Sequence, residues 1–143
     1  MVRRGLGLIA AAGVLVLLIV FLGDLRRAEN VMVQAKKRAN ELQIHFSLGK
    51  DDGLATAISK SAQAGADLPG VRFDYRSAES VSPPLTPSKP FVAAVSRSIP
   101  RVVLPDGHAV ILFDGSTFQP RWMLPNELDR LLSARPEPVT REP

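Results

Sequence analysis

Apolar side chains run unbroken from Leu6 to Leu22, and from Leu25 to Phe46 they recur at alternating intervals of three and four, with no proline in either stretch. This pattern predicts one long helix in two halves, a uniformly apolar segment over residues 6–23 and an amphipathic continuation over 24–48, behind a five-residue flank at 1–5. Leu6 to Leu22 rises about 25 Å as a helix, and with Gly5 and Gly23 it approaches the roughly 30 Å of a bilayer's hydrocarbon core. Such a segment satisfies its own backbone only as a helix. A cleaved signal peptide would show a shorter apolar run and then a small-x-small site, which Phe21, Leu22, Gly23 and Asp24 do not supply. A buried core helix is disfavoured by arginines at both ends and by the lack of a polar stripe. The expectation is an uncleaved single-pass anchor in contact with membrane lipid. Gly7 and Ala11 make a small-xxx-small pair, read as lipid-facing.

In the second half the apolar seam is Leu25, Ala28, Met32, Ala35, Ala39, Leu42 and Phe46, the a and d positions of three heptads of coiled-coil type. Arg26, Arg27, Asn30, Gln34, Lys37 and Glu41 fall on the other side, as a solvated face does. The seam has two destinations: the chain's own domain, or a helix of another chain, in which case these seven residues form the partner interface. In a parallel homodimer Val31 would face Lys36 and Arg38 would face Gln43, so no opposite charges meet, and hetero-association ranks ahead of a homodimer.

Residues 49–135 read as a small α+β domain. Glycines and aspartates over 49–53 make a turn and a cap. Leu54 to Ala64 predicts a helix closed by Gly65. Pro69 and Gly70 predict a turn before a strand over Val71–Tyr75. A proline-rich loop follows over 76–90. Phe91, Val92, Val95 and Ile99 fit a helical face behind Pro90. Arg101–Leu104 and His108–Phe113 flank Pro105, Asp106 and Gly107 as a hairpin. Asp114, Gly115 and Ser116 then turn into a third strand over Thr117–Leu124, which Pro120 requires to lie at an edge or to carry a bulge. A last helix begins at Pro125 with Leu128, Leu131 and Leu132 inward and stops at Pro136, and residues 136–143 read as a disordered tail. The expected fold is an antiparallel β-meander with helices on one face.

Charge changes the picture through its distribution. The net +4 splits into eight basic against three acidic residues over 1–50, and ten against eleven over 51–143. The basicity lies beside the apolar segment, where anionic head groups attract it. The near-neutral distal region has no basic stripe interleaved with aromatics, so nucleic-acid binding is excluded. The positive-inside count conflicts with itself: Arg26, Arg27, Lys36, Lys37 and Arg38 favour a cytoplasmic C-terminus. Arg3 and Arg4 on a short flank resemble a signal anchor that sends the remainder outward. With the neutral, Pro- and Ser-rich distal region, the second orientation is adopted, with a periplasmic C-terminal domain.

Candidate chemistry is sparse. The chain has no cysteine, hence neither disulfides nor thiolate metal ligands. Asp51 and Asp52 lack the alternating ligands of a calcium loop, and His45 and His108 have no metal-ligand spacing around them. Asp106 and Asp114 each precede a glycine, where aspartate bonds its own backbone. Trp122 is read as core in preference to an exposed anchor. No catalytic, cofactor-binding or metal residue is assigned, no cofactor is expected, and the chain is not read as an enzyme.

The leader Arg3, Arg4 and Gly5, followed by Leu6, Gly7, Leu8 and Ile9, a membrane helix and an amphipathic continuation, resembles the start of type IV pilins and pseudopilins. The resemblance implies cleavage after the glycine and a long helix packed into a filament beneath a small β-rich domain. It covers about forty residues. Ala10 stands where most members of that family carry glutamate, and the cysteine pair near the C-terminus is missing. The leading expectation is a single-pass accessory or structural subunit of an envelope assembly that binds other membrane or envelope subunits. A pilin-like subunit is the alternative, and a membrane-anchored ligand-sensing domain the third reading.

Overall fold

A computed structural model describes residues 2–49, 53–66, 70–76 and 90–133. The long helix α1 runs from Val2 to Leu48, followed by α2 (Gly53–Ala66), β1 (Phe73–Tyr75), β2 (Phe91–Ser96), β3 (His108–Phe113), β4 (Phe118–Met123) and α3 (Pro125–Ser133). Among the described residues the fold is α+β, with one long apolar helix, two shorter ones and an antiparallel sheet. The expected loop over 76–90, apart from Arg76 and Pro90, and the tail at 136–143 lie outside the described residues, as do Asp51 and Asp52.

The strands form one sheet in the order β1-β2-β3-β4, each neighbour antiparallel. Four strands pair where three were expected in the meander. Phe91–Ser96, expected as a helix, is strand β2: Phe91 pairs with Phe113 and Val95 with Val110. It is buried on both sides along most of its length, so apolar residues fill both sets of alternate positions and mask the two-residue period. A bulge between Val92 and Ala94 sets both Ala93 and Ala94 against the same cluster. Arg101–Leu104, expected as a strand, is a bend with no ladder partners; only an isolated bridge, Ile99 to Gly107, closes the connection between β2 and β3. β4 lies at a sheet edge with Pro120 opposite Ile111, where a missing amide is tolerated.

Helices cover both sides of the sheet, a correction to the one-sided expectation. On one side Ala39 and Leu42 of α1 and Ile58 of α2 pack with Phe91, Ala93, Ile111, Phe113 and Phe118. Phe113 and Phe118, a cross-strand pair, stack at 4.5 Å, and Phe46 meets their edges at 5.1 and 5.9 Å. On the other side Leu128, Leu131 and Leu132 of α3 pack with Val92, Val110, Leu112 and Met123, as the leucine spacing predicts. Pro125 occupies the first turn of α3, and the Glu127 carboxylate accepts the Leu124 amide at 3.2 Å, which caps the helix start.

Candidate functional site

The structure uses α1 in two ways. From Arg3 to Leu22 the side chains are exposed apart from a half-buried Val20, and none of the apolar window is buried. This helix is long and apolar enough to cross a membrane. From Asp24 onward one face is docked on the sheet and on α2. Ala35, Ala39 and Leu42 of the expected interface are buried in the chain's own core, and Met32 and Phe46 pack against it. Ala28 is half-buried, and Leu25 stays 42% exposed. The chain's own domain therefore occupies five of these seven residues.

At its start the buried face departs from the apolar seam. Asp24, with 1% of its surface exposed, and Val31 take the inward positions that Leu25 and Ala28 were expected to hold. Both Asp24 carboxylate oxygens are used: Oδ1 accepts the Val102 amide at 2.9 Å, and Oδ2 accepts those of Val103 at 2.8 Å and Leu104 at 3.1 Å. The Val102 amide holds this carboxyl below its ordinary range, helped by those of Val103 and Leu104 and by Arg27, against the opposing effect of burial. Two further polar residues tie α1 to the domain. Gln34 Oε1 accepts the Val71 amide at 2.8 Å, although the pattern had assigned Gln34 to the solvated side. Gln43 donates to the Ser116 carbonyl at 3.2 Å and accepts the Phe118 amide at 3.1 Å. Asp24, Gln34 and Gln43 thus fasten α1 at three heights. A lone acid directly after an apolar run was the one local sign of such a tie.

The turn that Asp24 grips is closed on itself. The Arg101 amide donates to Asp106 Oδ1 at 3.0 Å, and its guanidinium donates to the Pro105 carbonyl at 2.6 Å and lies 4.9 Å from the centre of the Trp122 ring. Trp122 is half-buried beside Met32, Ile99 and Ala109. A Cβ on Gly107 would come within 2.4 Å of its ring, so this close packing requires glycine there.

A second feature is a cleft of ≈ 420 Å³ lined by Arg38, Ala62, Gly65, Arg72 and β1. Arg38 is buried with Nη1 3.9 Å from Glu41, and among the described residues neither that atom nor the Tyr75 hydroxyl has a hydrogen-bond partner. Burial pushes the Tyr75 phenol above its usual value, the Arg38 charge opposes this and Glu41 adds to it. Asp114, by contrast, is a turn residue: its carboxylate accepts the Ser116 and Thr117 amides at 2.9 and 2.8 Å, which, Thr117 foremost, lower it to about 2. His108 Nδ1 lies 3.0 Å from the Ser96 carbonyl and His45 sits on α1; among the described residues no His, Asp and Glu gather as a metal-ligand set.

Comparison with protein families, curated proteins and solved structures gives no match.

Proposed function

We propose that this chain is a single-pass membrane-anchored accessory or structural subunit of an envelope protein assembly, with residues 49–135 on the extracytoplasmic side. The observation that carries the reading is the division of α1. An apolar half left uncovered by its own domain needs another apolar environment, while the adjoining half is fastened to a folded domain at Asp24, Gln34 and Gln43. Because the domain occupies the seam, contacts with other subunits fall to the residues it leaves free: the apolar half itself and the outer side of α1, where Val33 and Ile44 are exposed. Hetero-association is favoured, since no self-complementary charge pattern lies along the helix. The test is photo-crosslinking from Leu15, Val33 and Ile44 in native membranes, with adducts identified by mass. A defined adduct with another envelope protein supports the subunit reading; lipid adducts alone from all three positions sink it. A reporter fused after Pro143 reads the orientation, and activity on the cytoplasmic side overturns the proposed topology.

A pilin-like subunit is the second reading. It is favoured by one observation: a long apolar helix leads into a small sheet-bearing domain, and a long helix beneath a small β-rich domain is what the leader resemblance implies. N-terminal sequencing separates the two. A mature chain starting at Leu6 supports this reading, and an intact Met1 or Val2 removes it.

A further inference from the structure

We propose that the turn carrying Val102 and Val103 is a second, shallow membrane contact, seated in the headgroup–acyl boundary of the same bilayer that α1 crosses. The proposal rests on the anchoring reading above and gives it a second point of attachment.

The first argument is position. A helix that starts its apolar run at Leu6 has risen about 27 Å by Gly23, close to the roughly 30 Å of a bilayer's hydrocarbon, so Asp24 lies near its boundary. The amides of Val102, Val103 and Leu104 are bonded to Asp24 at 2.8–3.1 Å, so this turn is held at the same level. Coverage extends slightly further back: Val20, one turn earlier on the same side of α1, is half-buried while Ile19, Phe21 and Leu22 are exposed. The turn is thus pinned to the helix at the point where lipid begins.

The second argument is surface chemistry. Val102 is 70% and Val103 48% exposed, two adjacent β-branched side chains at the tip of a bend that packs neither into the core. Single exposed apolar residues on a protein are ordinary. Here the pair is held against Asp24, the residue that ends the exposed apolar run of α1, so it stands at the edge of that apolar surface rather than alone. The usual obstacle to burying a loop in lipid is its unbonded backbone. In this turn three consecutive amides are already taken by one carboxylate, and Arg101 closes the ends through Asp106 and Pro105. Arg26 and Arg27, both exposed within one turn of Asp24, supply cations at headgroup height, and Trp122 sits at the base of the turn, the residue type favoured in that zone. Apolar groups of interfacial elements settle about 5–10 Å into such a boundary, a depth a two-residue tip reaches.

The test uses the full chain, which has no native cysteine. Single variants Leu15→Cys, Val103→Cys and Asp129→Cys, each labelled with a nitrobenzoxadiazole fluorophore, are reconstituted in vesicles of phosphatidylethanolamine and phosphatidylglycerol. Quenching is read with nitroxides placed shallow or deep on the acyl chains. The expected result is loss of emission at Leu15 with the deep quencher, loss at Val103 with the shallow one, and none at Asp129, on the outer surface of α3. A label at Val103 as unquenched as that at Asp129, with Leu15 quenched, overturns the turn proposal and leaves the anchor standing; the valine pair then faces water or a protein. An unquenched Leu15 overturns both. Repeating the measurement from Val102→Cys guards against a label that perturbs the tip, and the proposal fails if neither position is quenched.

Discussion

The two halves of α1 share one backbone and differ in how they dispose of apolar surface. From Leu6 to Leu22 the helix is apolar all round and its own domain covers almost none of it; from Asp24 to Leu48 apolar residues gather mainly on one face, and the domain covers most of that face. The first half is specified by composition alone, since lipid accepts any rotation of a uniformly greasy cylinder. The second half needs a defined rotation, and polar residues define it. Asp24, Gln34 and Gln43 each bond backbone groups of a particular segment, so slippage of the helix along the sheet would leave several buried polar groups without partners at once. Apolar packing supplies the attraction, and these three ties supply the register.

The comparison breaks most sharply at its best-packed point. Leu42 is fully buried among Ile58, Ile111 and Phe113, so Leu42→Ala should destabilise the domain by about 2–5 kcal/mol, read by denaturant unfolding in detergent, with membrane retention unchanged. The converse change is Leu15→Arg. It should lower insertion by about 3 kcal/mol, read as release by alkaline carbonate, while the domain's unfolding midpoint stays where it was. If Leu42→Ala releases the chain, or Leu15→Arg unfolds the domain, the two halves are not independent in the way described. Gly107→Ala is smaller, about 1–3 kcal/mol, because the added methyl meets the Trp122 ring; a shift in tryptophan emission should accompany it.

The smallest effect is that of pH. Asp24 and Asp114 are both held below the ordinary carboxylate value by backbone amides, Asp114 to about 2. Their folded forms bind protons less readily than the unfolded chain, so their stabilisation is full above the unfolded value near 4 and fades as pH falls through the folded values. A thermal midpoint that declines from about pH 4 towards 2 is expected. Asp24→Asn should flatten that decline and speed amide exchange at Val102, Val103 and Leu104, and unchanged exchange there would remove Asp24 from its role.

Much of this architecture was legible from residue order. The helix start at Pro125, the edge position of the Pro120 strand and the inward leucines of α3 rest on local rules, and the structure obeys them. Two segments were misread for physical reasons. Phe91–Ser96 is buried on both sides of the sheet, so its apolar residues lost the alternation that marks a strand, and Phe91, Val92 and Val95 fitted a helical face by coincidence. Arg101–Leu104 has the β-branched composition of a strand, but its amides bond a residue nearly eighty positions earlier, which no local pattern discloses. The same non-locality hid the residue that ties the start of the docked half to the domain. A search for apolar seams selects Leu25 and passes over Asp24, because a carboxylate is acceptable on a buried face only when several donors from a distant segment converge on it.

The fastening of α1 at the level of Asp24 has a mechanical consequence. With the proposed anchoring there is no free stalk: the helix is the spine of the domain from the lipid surface upward, and no hinge separates the two. Leu48 stands about 36 Å beyond Asp24 along that axis, so leaning the span by about 20° would swing the far end sideways by about 12 Å. Bilayers of different thickness impose different inclinations on a span of fixed length. The outer end of this protein would accordingly register the thickness of its membrane as a lateral displacement, and a neighbour contacting that end would feel it.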